Sequence, residues 1–150
     1  MKKLISIVVS LYNEEGNIEK LYSELLPVFK KCYDVDFEIL LVNDGSKDST
    51  LLKCKQVILE DARFKIVNLF RNFGHEIAMT AGLNYAKGDA VIFMDGDLQH
   101  PPHLIYDMVS KFLEGHDVVL TQSFANEDTS LNFSHQKGLA GRVIIILCSL

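Results

Sequence analysis

The stretch "VIFMDGDLQHPP", residues 91–102, decides how the chain is read. An apolar run, residues 90–94, leads straight into two carboxylates one residue apart, Asp95 and Asp97, and then into Pro101 and Pro102. On an extended chain, residues i and i+2 point to the same side. Two acids placed so repel each other unless a cation or a positive side chain lies between them. The stretch is therefore expected to be a core strand that ends on a charged site.

Outward from it, apolar runs of strand length alternate with segments of helical period. Strands are expected over residues 4–11, 37–43, 64–70, 90–94 and 117–122. Ile18, Leu21, Leu25 and Phe29 recur at helical spacing before the second strand, with Pro27 placed to kink or end that helix. A second helix opens near Asp48 or Ser49, either of which suits an N-cap. A third runs from His75 towards Gly88, whose glycine suits a C-terminal cap. A fourth carries Leu104, Ile105, Met108, Val109 and Phe112 on one face and ends at Gly115. Strands that are continuously apolar rather than alternating belong to parallel sheets covered on both faces. The fold class is thus α/β, a Rossmann-like, mostly parallel sheet with helices on both sides.

Bulk composition narrows the function. The chain has 150 residues, enough for about one domain. A net charge of −5 argues against non-specific nucleic-acid binding, so no nucleic-acid partner is expected. Cys32, Cys54 and Cys148 are widely spaced and odd in number, as reduced thiols of a cytoplasmic protein would be. The opening "MKKLISIVVSLYNEE" imitates a signal peptide, but residues 12–15 turn polar with no small-residue cleavage site, so a first strand is the better reading. No apolar run is long enough to span a bilayer.

Polar clusters follow each of the first four strands: Ser10, Tyr12, Asn13, Glu14 and Glu15; "NDGSKDST" at 43–50; "RNFGH" at 71–75; and "DGDLQHPP" at 95–102. Singly, each has an ordinary explanation as turn, helix start or surface charge. Together they fall on one edge of the sheet, the carboxyl edge where open α/β sheets bind ligands. The chain carries neither GxGxxG nor GxxxxGK[ST], and the EF-hand pattern fails at Gln99 and His100. His75 carries no spacing signal. Two strand-end carboxylates suit a hard divalent cation, Mg2+ or Mn2+, and Arg71 can add a positive contact to phosphates. The constellation fits group transfer from a nucleotide-activated donor.

The motifs "VVSLYNEE", "LLVNDGSKDST", "RNFGHEIAMTAGLNYAKGD" and "FMDGDLQHPP" resemble, in order and spacing, the family 2 glycosyltransferases of the GT-A fold, especially the polyprenyl-phosphate glycosyltransferases and dolichyl-phosphate mannose synthases. The match runs from about Ser6 to about Val119. The resemblance implies that Tyr12, Asn13 and Glu14 line the nucleotide pocket, Asp44 contacts the base, and Arg71 lies near base or phosphates. It implies that Asp95 and Asp97 form the metal-holding pair, Asp95 near the ribose and Asp97 on the diphosphate, with Gln99 beside donor sugar or acceptor. The implied reaction is an inverting, metal-dependent transfer from a nucleotide-sugar donor to a polyprenyl-phosphate acceptor at the cytoplasmic face of the membrane. Transfer to a glycan or protein hydroxyl, and a nucleotide-sugar-binding remnant without catalysis, remain as alternatives. Ser10 departs from the family, which usually has proline there, and Asn43 replaces a frequent acid.

The nucleotide-sugar-binding domain is expected over residues 1–122, with an altered or truncated acceptor and membrane-proximal segment over 123–150. This last segment is acidic, has no arginine before Arg142, and ends in "VIIILCSL". As the close of a domain, that run must dock on the core or pair with another copy in a homo-oligomer. The resemblance favours a third reading: the start of an amphipathic, membrane-proximal helix in a larger, membrane-attached enzyme.

Overall fold

The computed structural model describes residues 1–99 and 101–116 in full and the backbone of 118–122, 130–133 and 143–148. His100, residues 123–129 and Arg142 lie outside the described residues. In chain order the elements are β1 (Lys3–Leu11), α1 (Ile18–Lys31), β2 (Val35–Asp44), α2 (Thr50–Glu60), β3 (Phe64–Leu69), α3 (His75–Tyr85), β4 (Ala90–Asp95), α4 (Leu104–Leu113), β5 (Val118–Gln122), β6 (Ser130–Phe133) and β7 (Val143–Cys148). They build one seven-stranded sheet in the order β3-β2-β1-β4-β7-β5-β6. Every pairing is parallel except that of β5 with β6.

Side-chain alternation along the strands sorts the helices. Ile5, Ile7, Val9 and Leu11 of β1 point to the face where α1, α2 and α4 pack, with Ile18, Leu21 and Leu25 of α1 and Ile105 and Met108 of α4 in the same cluster. Val8 of β1, Leu40 and Val42 of β2 and Val91 and Phe93 of β4 point to the other face, which α3 covers with Ala78, Met79 and Leu83. Gly82 brings α3 close: a β-carbon there would lie 2.2 Å from Val8 Cγ1. Pro27 sits inside α1 without ending it. Ser23, whose carbonyl loses its helical partner, is exposed like Pro27, so water can serve that carbonyl.

The amino end of the α3 face is polar. Glu38, on β2, is 3% exposed and accepts hydrogen bonds from Ser6 Oγ (2.6 Å), the Lys87 backbone N–H (2.6 Å) and Lys65 Nζ (2.7 Å). Burial pushes this carboxyl up, but the bonds from Lys65, Ser6 and Lys87 outweigh it and hold Glu38 below the ordinary glutamate value. A depressed folded pKa contributes stability that is complete above the unfolded value, about 4.3, and lost as pH falls through the folded value. Glu38→Gln is therefore expected to cost about 2 kcal/mol near neutral pH, where Lys65 and two further donors lose their anion. The deficit should shrink on acidification below about pH 4. Urea unfolding of both proteins across that range is the check; a deficit constant with pH refutes the assignment.

Two expectations about the elements are corrected by the structure. Gly88 does not cap α3, which ends at Tyr85 with Ala86 in an extended conformation. Gly88 is needed instead because a β-carbon would lie 2.6 Å from Ser6 Oγ and 2.7 Å from Ser6 N. The fourth helix does end as expected: Gly115 has φ +95, and the N–H groups of Gly115 and His116 return to the carbonyls of Phe112 and Lys111.

The apolar run near the end of the chain is not a helix. It is β7, paired parallel with β4 on one side (Ala90 with Val143 through Phe93 with Ile146) and with β5 on the other. Four β-branched residues in succession, Val143, Ile144, Ile145 and Ile146, favour a strand over a helix. A strand inside a sheet also has both edges of its backbone hydrogen-bonded. Finally, β6 had no counterpart among the expected strands; its four residues are too few to show a period.

Candidate functional site

The chain runs outward from β1 through β2 to β3, then returns to the other side of β1 as β4. The strand order thus switches between β1 and β4, and the crevice beyond the carboxyl ends of those two strands is where this architecture takes ligands. Three polar side chains stand there on the α3 face, one from each of three adjacent strands: Asp44 at the end of β2, Ser10 in β1 and Asp95 at the end of β4. Ser10 and Asp95 are register partners. Ser10 Oγ donates to Asp95 Oδ1 at 3.3 Å. His75, first residue of α3, places Nδ1 2.9 Å from Ser10 Oγ and 3.3 Å from the same Asp95 oxygen. A cavity of about 200 Å3 opens beside them, bounded by Ser10, Leu11 and Tyr12 from the end of β1, Asp44, and Asn72, His75 and Ala78 from the third crossover. A roomier cavity of about 470 Å3, between Pro27 and Val28 of α1 and the start of α4, belongs to the opposite face of the sheet.

Asp44 is 3% exposed, and its two oxygens accept the backbone N–H groups of Phe73 (2.8 Å) and Gly74 (2.9 Å). It fastens the loop after β3 to the end of β2. The same loop presses on Gly45, where φ is +65 and a β-carbon would lie 2.2 Å from the Arg71 carbonyl carbon. Arg71 itself is exposed at the rim, its guanidinium carbon 4.7 Å from the Phe73 ring centroid. It is not among the residues bounding the cavity.

Asn13 and Glu14 lace two loops together. Asn13, at φ 56, donates its N–H to Ser46 Oγ (3.0 Å) and accepts from Lys47 N (2.9 Å). Glu14 donates its N–H to the buried Thr50 hydroxyl (2.8 Å), and its carboxylate accepts from Asn17 Nδ2 (2.7 Å). Tyr12, 42% exposed, precedes this laced pair and helps to bound the cavity.

The Asp95–Asp97 pair is not arranged as strand alternation would have it. β4 ends at Asp95; Gly96 and Asp97 form a turn, and Leu98 has φ 60. Gly96 is buried, donates to the Ser10 carbonyl (3.1 Å), and leaves no room for a side chain, since a β-carbon would lie 2.2 Å from Leu11 Cδ2. That contact seats the turn on the end of β1. Asp97 is exposed, with Oδ1 accepting the Gln99 N–H at 3.0 Å; Gln99 is exposed beside it. Among the described residues no group of three His, Cys, Asp or Glu side chains could hold a metal ion. Two carboxylates on adjoining positions nevertheless suit Mg2+ or Mn2+, which take one or two protein oxygens and complete their shell with phosphate and water. The thiols of Cys32 and Cys54 are buried, and burial pushes Cys54 up to about 12, so neither is a nucleophile or ligand for this site.

The structure thus brings Tyr12, Asp44 and Asp95 around one crevice, places Asp97 and Gln99 on the adjoining turn, Arg71 on the rim, and Asn13 and Glu14 in the supporting loop. His75 and Asn72 escaped the sequence reading as site residues, and Ser10 had no partner there. "RNFGH" marks that loop as polar, but only the β1–β4 register and the direction of α3 bring His75 to Asp95.

A mostly parallel α/β sheet with a polar crevice at its switch point defines the class of open, doubly wound domains that take ligands at the carboxyl edge. Within that class, the chain belongs to glycosyltransferase family 2, whose family model, "Glycosyl transferase family 2", matches residues 6–146. It is 50% identical over 115 residues to an uncharacterized glycosyltransferase of Synechocystis, covering 77% of this chain and 36% of that protein. It is 38% identical over 128 residues to the undecaprenyl-phosphate 4-deoxy-4-formamido-L-arabinose transferase of Aeromonas hydrophila, covering 85% of this chain and 39% of that protein. Among solved structures, residues 1–349 of Staphylococcus aureus TarS in complex with UDP-GlcNAc superimpose with a TM-score of 0.62 at 27% identity, covering 85% of this chain and 36% of that one. The fold is that of the GT-A glycosyltransferases. The chain spans less than two fifths of the length of each of these relatives. No helix among the described residues is long and apolar enough to cross a membrane.

Proposed function

We propose that this chain supplies the donor site of a transferase that moves a sugar from a nucleoside diphosphate to polyprenyl phosphate, with inversion, at the cytoplasmic face of a membrane. The observation that carries the reading is that Asp44, Ser10 and Asp95 come from three adjacent strands to the β1–β4 switch, where Asp44 and Ser10 bound the cavity and Asp95 touches Ser10 and His75 at its edge. A cavity of about 200 Å3 suits a nucleoside rather than a whole sugar nucleotide, since drug-sized ligands take pockets of roughly 300–1,000 Å3. The base and ribose then lie among Tyr12, Asp44 and His75. The diphosphate and sugar extend over the open turn of Asp97 and Gln99, with Arg71 reaching phosphate or base from the rim. Asp95 and Asp97 would hold Mg2+ or Mn2+; when bound, the cation offsets the charge that grows on the diphosphate leaving group.

The acceptor reading draws on relatives named for undecaprenyl phosphate and bactoprenol. A phosphate oxygen attacks the anomeric carbon from the face opposite the diphosphate, one C–O bond forming as the other breaks. A phosphate monoester, with a second pKa of about 6, is largely anionic near neutral pH and needs no general base. Gln99, next to the metal-binding turn, would orient the donor sugar or the acceptor. Isothermal titration with UDP and GDP, with Mg2+ or Mn2+ present, tests the donor site. Binding between about 1 µM and 1 mM, weakened by chelator, is the expected result. Absence of binding by both nucleotides refutes it.

A further inference from the structure

We infer that Asn13 and Thr50 are positioning residues of the donor site: they hold Tyr12 against the cavity and touch no part of the ligand. The inference rests on the donor-site reading above and gives a role to two residues outside the cavity wall. Pairing of β1 with β2 stops at Leu11, opposite Asn43, so the backbone of the loop at 12–17 needs other partners. It finds them in the loop after β2 and the start of α2. Three successive N–H groups, those of Asn13, Glu14 and Glu15, donate to Ser46 Oγ (3.0 Å), Thr50 Oγ1 (2.8 Å) and Asp48 Oδ2 (3.2 Å). Two N–H groups return the other way, from Lys47 to Asn13 Oδ1 (2.9 Å) and from Ser49 to Glu15 Oε2 (2.8 Å).

Asn13 is where this clasp meets Tyr12. A peptide unit is planar, so the bond from the Asn13 N–H to Ser46 also fixes the Tyr12 carbonyl, and with it the backbone that carries the ring. Asn13 has φ 56, in the left-handed region that asparagine tolerates better than most residues, and its side-chain bond from the Lys47 N–H holds it there. Thr50 is the buried part of the clasp, at 0% exposure. Its hydroxyl donates to Asp48 Oδ1 at 2.6 Å, since a carboxylate oxygen only accepts, and this leaves a lone pair for the Glu14 N–H. Water reaches the exposed Asn13 but not the Thr50 hydroxyl, so the bond to Glu14 has no solvent substitute. Ser10, Leu11 and Tyr12 bound the cavity, whereas Asn13, Glu14 and Thr50 do not. The resemblance placed Asn13 and Glu14 in the pocket wall; the structure uses them to tie two loops. A Tyr12 already held in place loses little further freedom when a nucleotide arrives, which strengthens binding.

The test is a pair of double-mutant cycles. UDP or GDP, whichever binds, is titrated at one metal concentration into the wild type, Tyr12→Ala, Asn13→Ala, Thr50→Val, and each of the last two combined with Tyr12→Ala. With Tyr12 present, Asn13→Ala and Thr50→Val should each weaken binding by about three- to tenfold. With Tyr12 already alanine, neither should weaken it further, since residues that act through one another are not additive. Thr50→Ser, which keeps the hydroxyl, should bind nearly as the wild type does. Equal losses with and without Tyr12 would mean contact with the ligand or action elsewhere in the site, and overturn the proposal. So would unchanged affinity in Asn13→Ala and Thr50→Val, even if urea unfolding shows both destabilised, and so would a Tyr12→Ala variant that binds as the wild type does. If Thr50→Val does not fold, Asn13→Ala, at an exposed position, carries the same cycle. The chain has no tryptophan, so Tyr12→Trp adds a reporter that needs no ligand. Asn13→Ala in that background should lower its fluorescence anisotropy, and an unchanged anisotropy overturns the proposal. Failure of UDP and GDP to bind the wild type refutes the donor site itself, and the role of the clasp with it. Intact binding with additive losses refutes the clasp's role alone.

Discussion

Asp44→Ala is expected to lower the unfolding free energy by about 3 kcal/mol and to dismantle the site as it does so. Two half-buried backbone N–H groups, those of Phe73 and Gly74, lose their acceptor at once, at about 1–2 kcal/mol for each donor left unpaired. The carboxylate that vanishes is 3% exposed, so water does not readily replace it. What it releases is the loop leading into α3, and with it Arg71, Asn72 and His75. If the cavity takes the nucleoside as proposed, free nucleoside and nucleoside diphosphate should weaken by the same factor. Asp44→Asn should fall between, since its amide keeps one acceptor but turns a donor towards the second N–H. Urea unfolding with parallel calorimetry decides the matter. Stability within about 0.5 kcal/mol of wild type would show that the loop stands without Asp44. A loss confined to the diphosphate would move Asp44 to the phosphate side of the site.

Asp97→Asn is the contrasting case, with a large effect on binding and almost none on folding. Asp97 is exposed, lies in a turn, and its one intramolecular bond, from the Gln99 N–H, can be kept by an asparagine oxygen. The fold and the melting temperature should therefore stay close to wild type. In the proposed site, however, one of the two carboxylates that would hold the cation is gone. Loss of a group that merely orients a metal ligand already costs about 10–100-fold in metal affinity. A ligand itself should cost at least as much, so affinity for UDP or GDP in Mg2+ or Mn2+ should drop by about 100-fold. Affinity for the free nucleoside should not change. Equal nucleoside diphosphate affinity in wild type and variant, with metal present, would remove Asp97 from the metal site.

The first four strands and the four helices were legible in the sequence because their signals are local. Period 3.6 marks α1 and α4, and unbroken apolar runs mark β1, β2, β3 and β4, with ends one or two residues from those observed. The carboxyl-edge position of the site was legible for a related reason: in a strand–helix alternation, chain direction alone tells which edge each polar loop occupies. Asp44, Asp95 and Tyr12 could be named from their place after a strand.

Only the tertiary structure decided how those residues are used and what lies beside them. Whether Val143–Cys148 is a strand or a helix depends on a gap between β4 and β5, a pairing across some fifty residues that no local pattern encodes. Asp44 binds backbone N–H groups twenty-nine and thirty residues away, so its carboxylate builds the site before it can touch a ligand. The Asp95–Asp97 spacing promised two acids on one strand face, but the close seat of Gly96 on Leu11 turns the chain between them. His75 and Ser10 are sixty-five residues apart and meet because β1 pairs with β4 while α3 crosses the same face. Sequence by itself determined the period, the order and the edge, since those follow from each residue's neighbours along the chain. Partners across the sheet, and hence the chemistry of each polar group, were set by the folded register, where a one-residue slip would turn Ser10 and Asp95 to the opposite face.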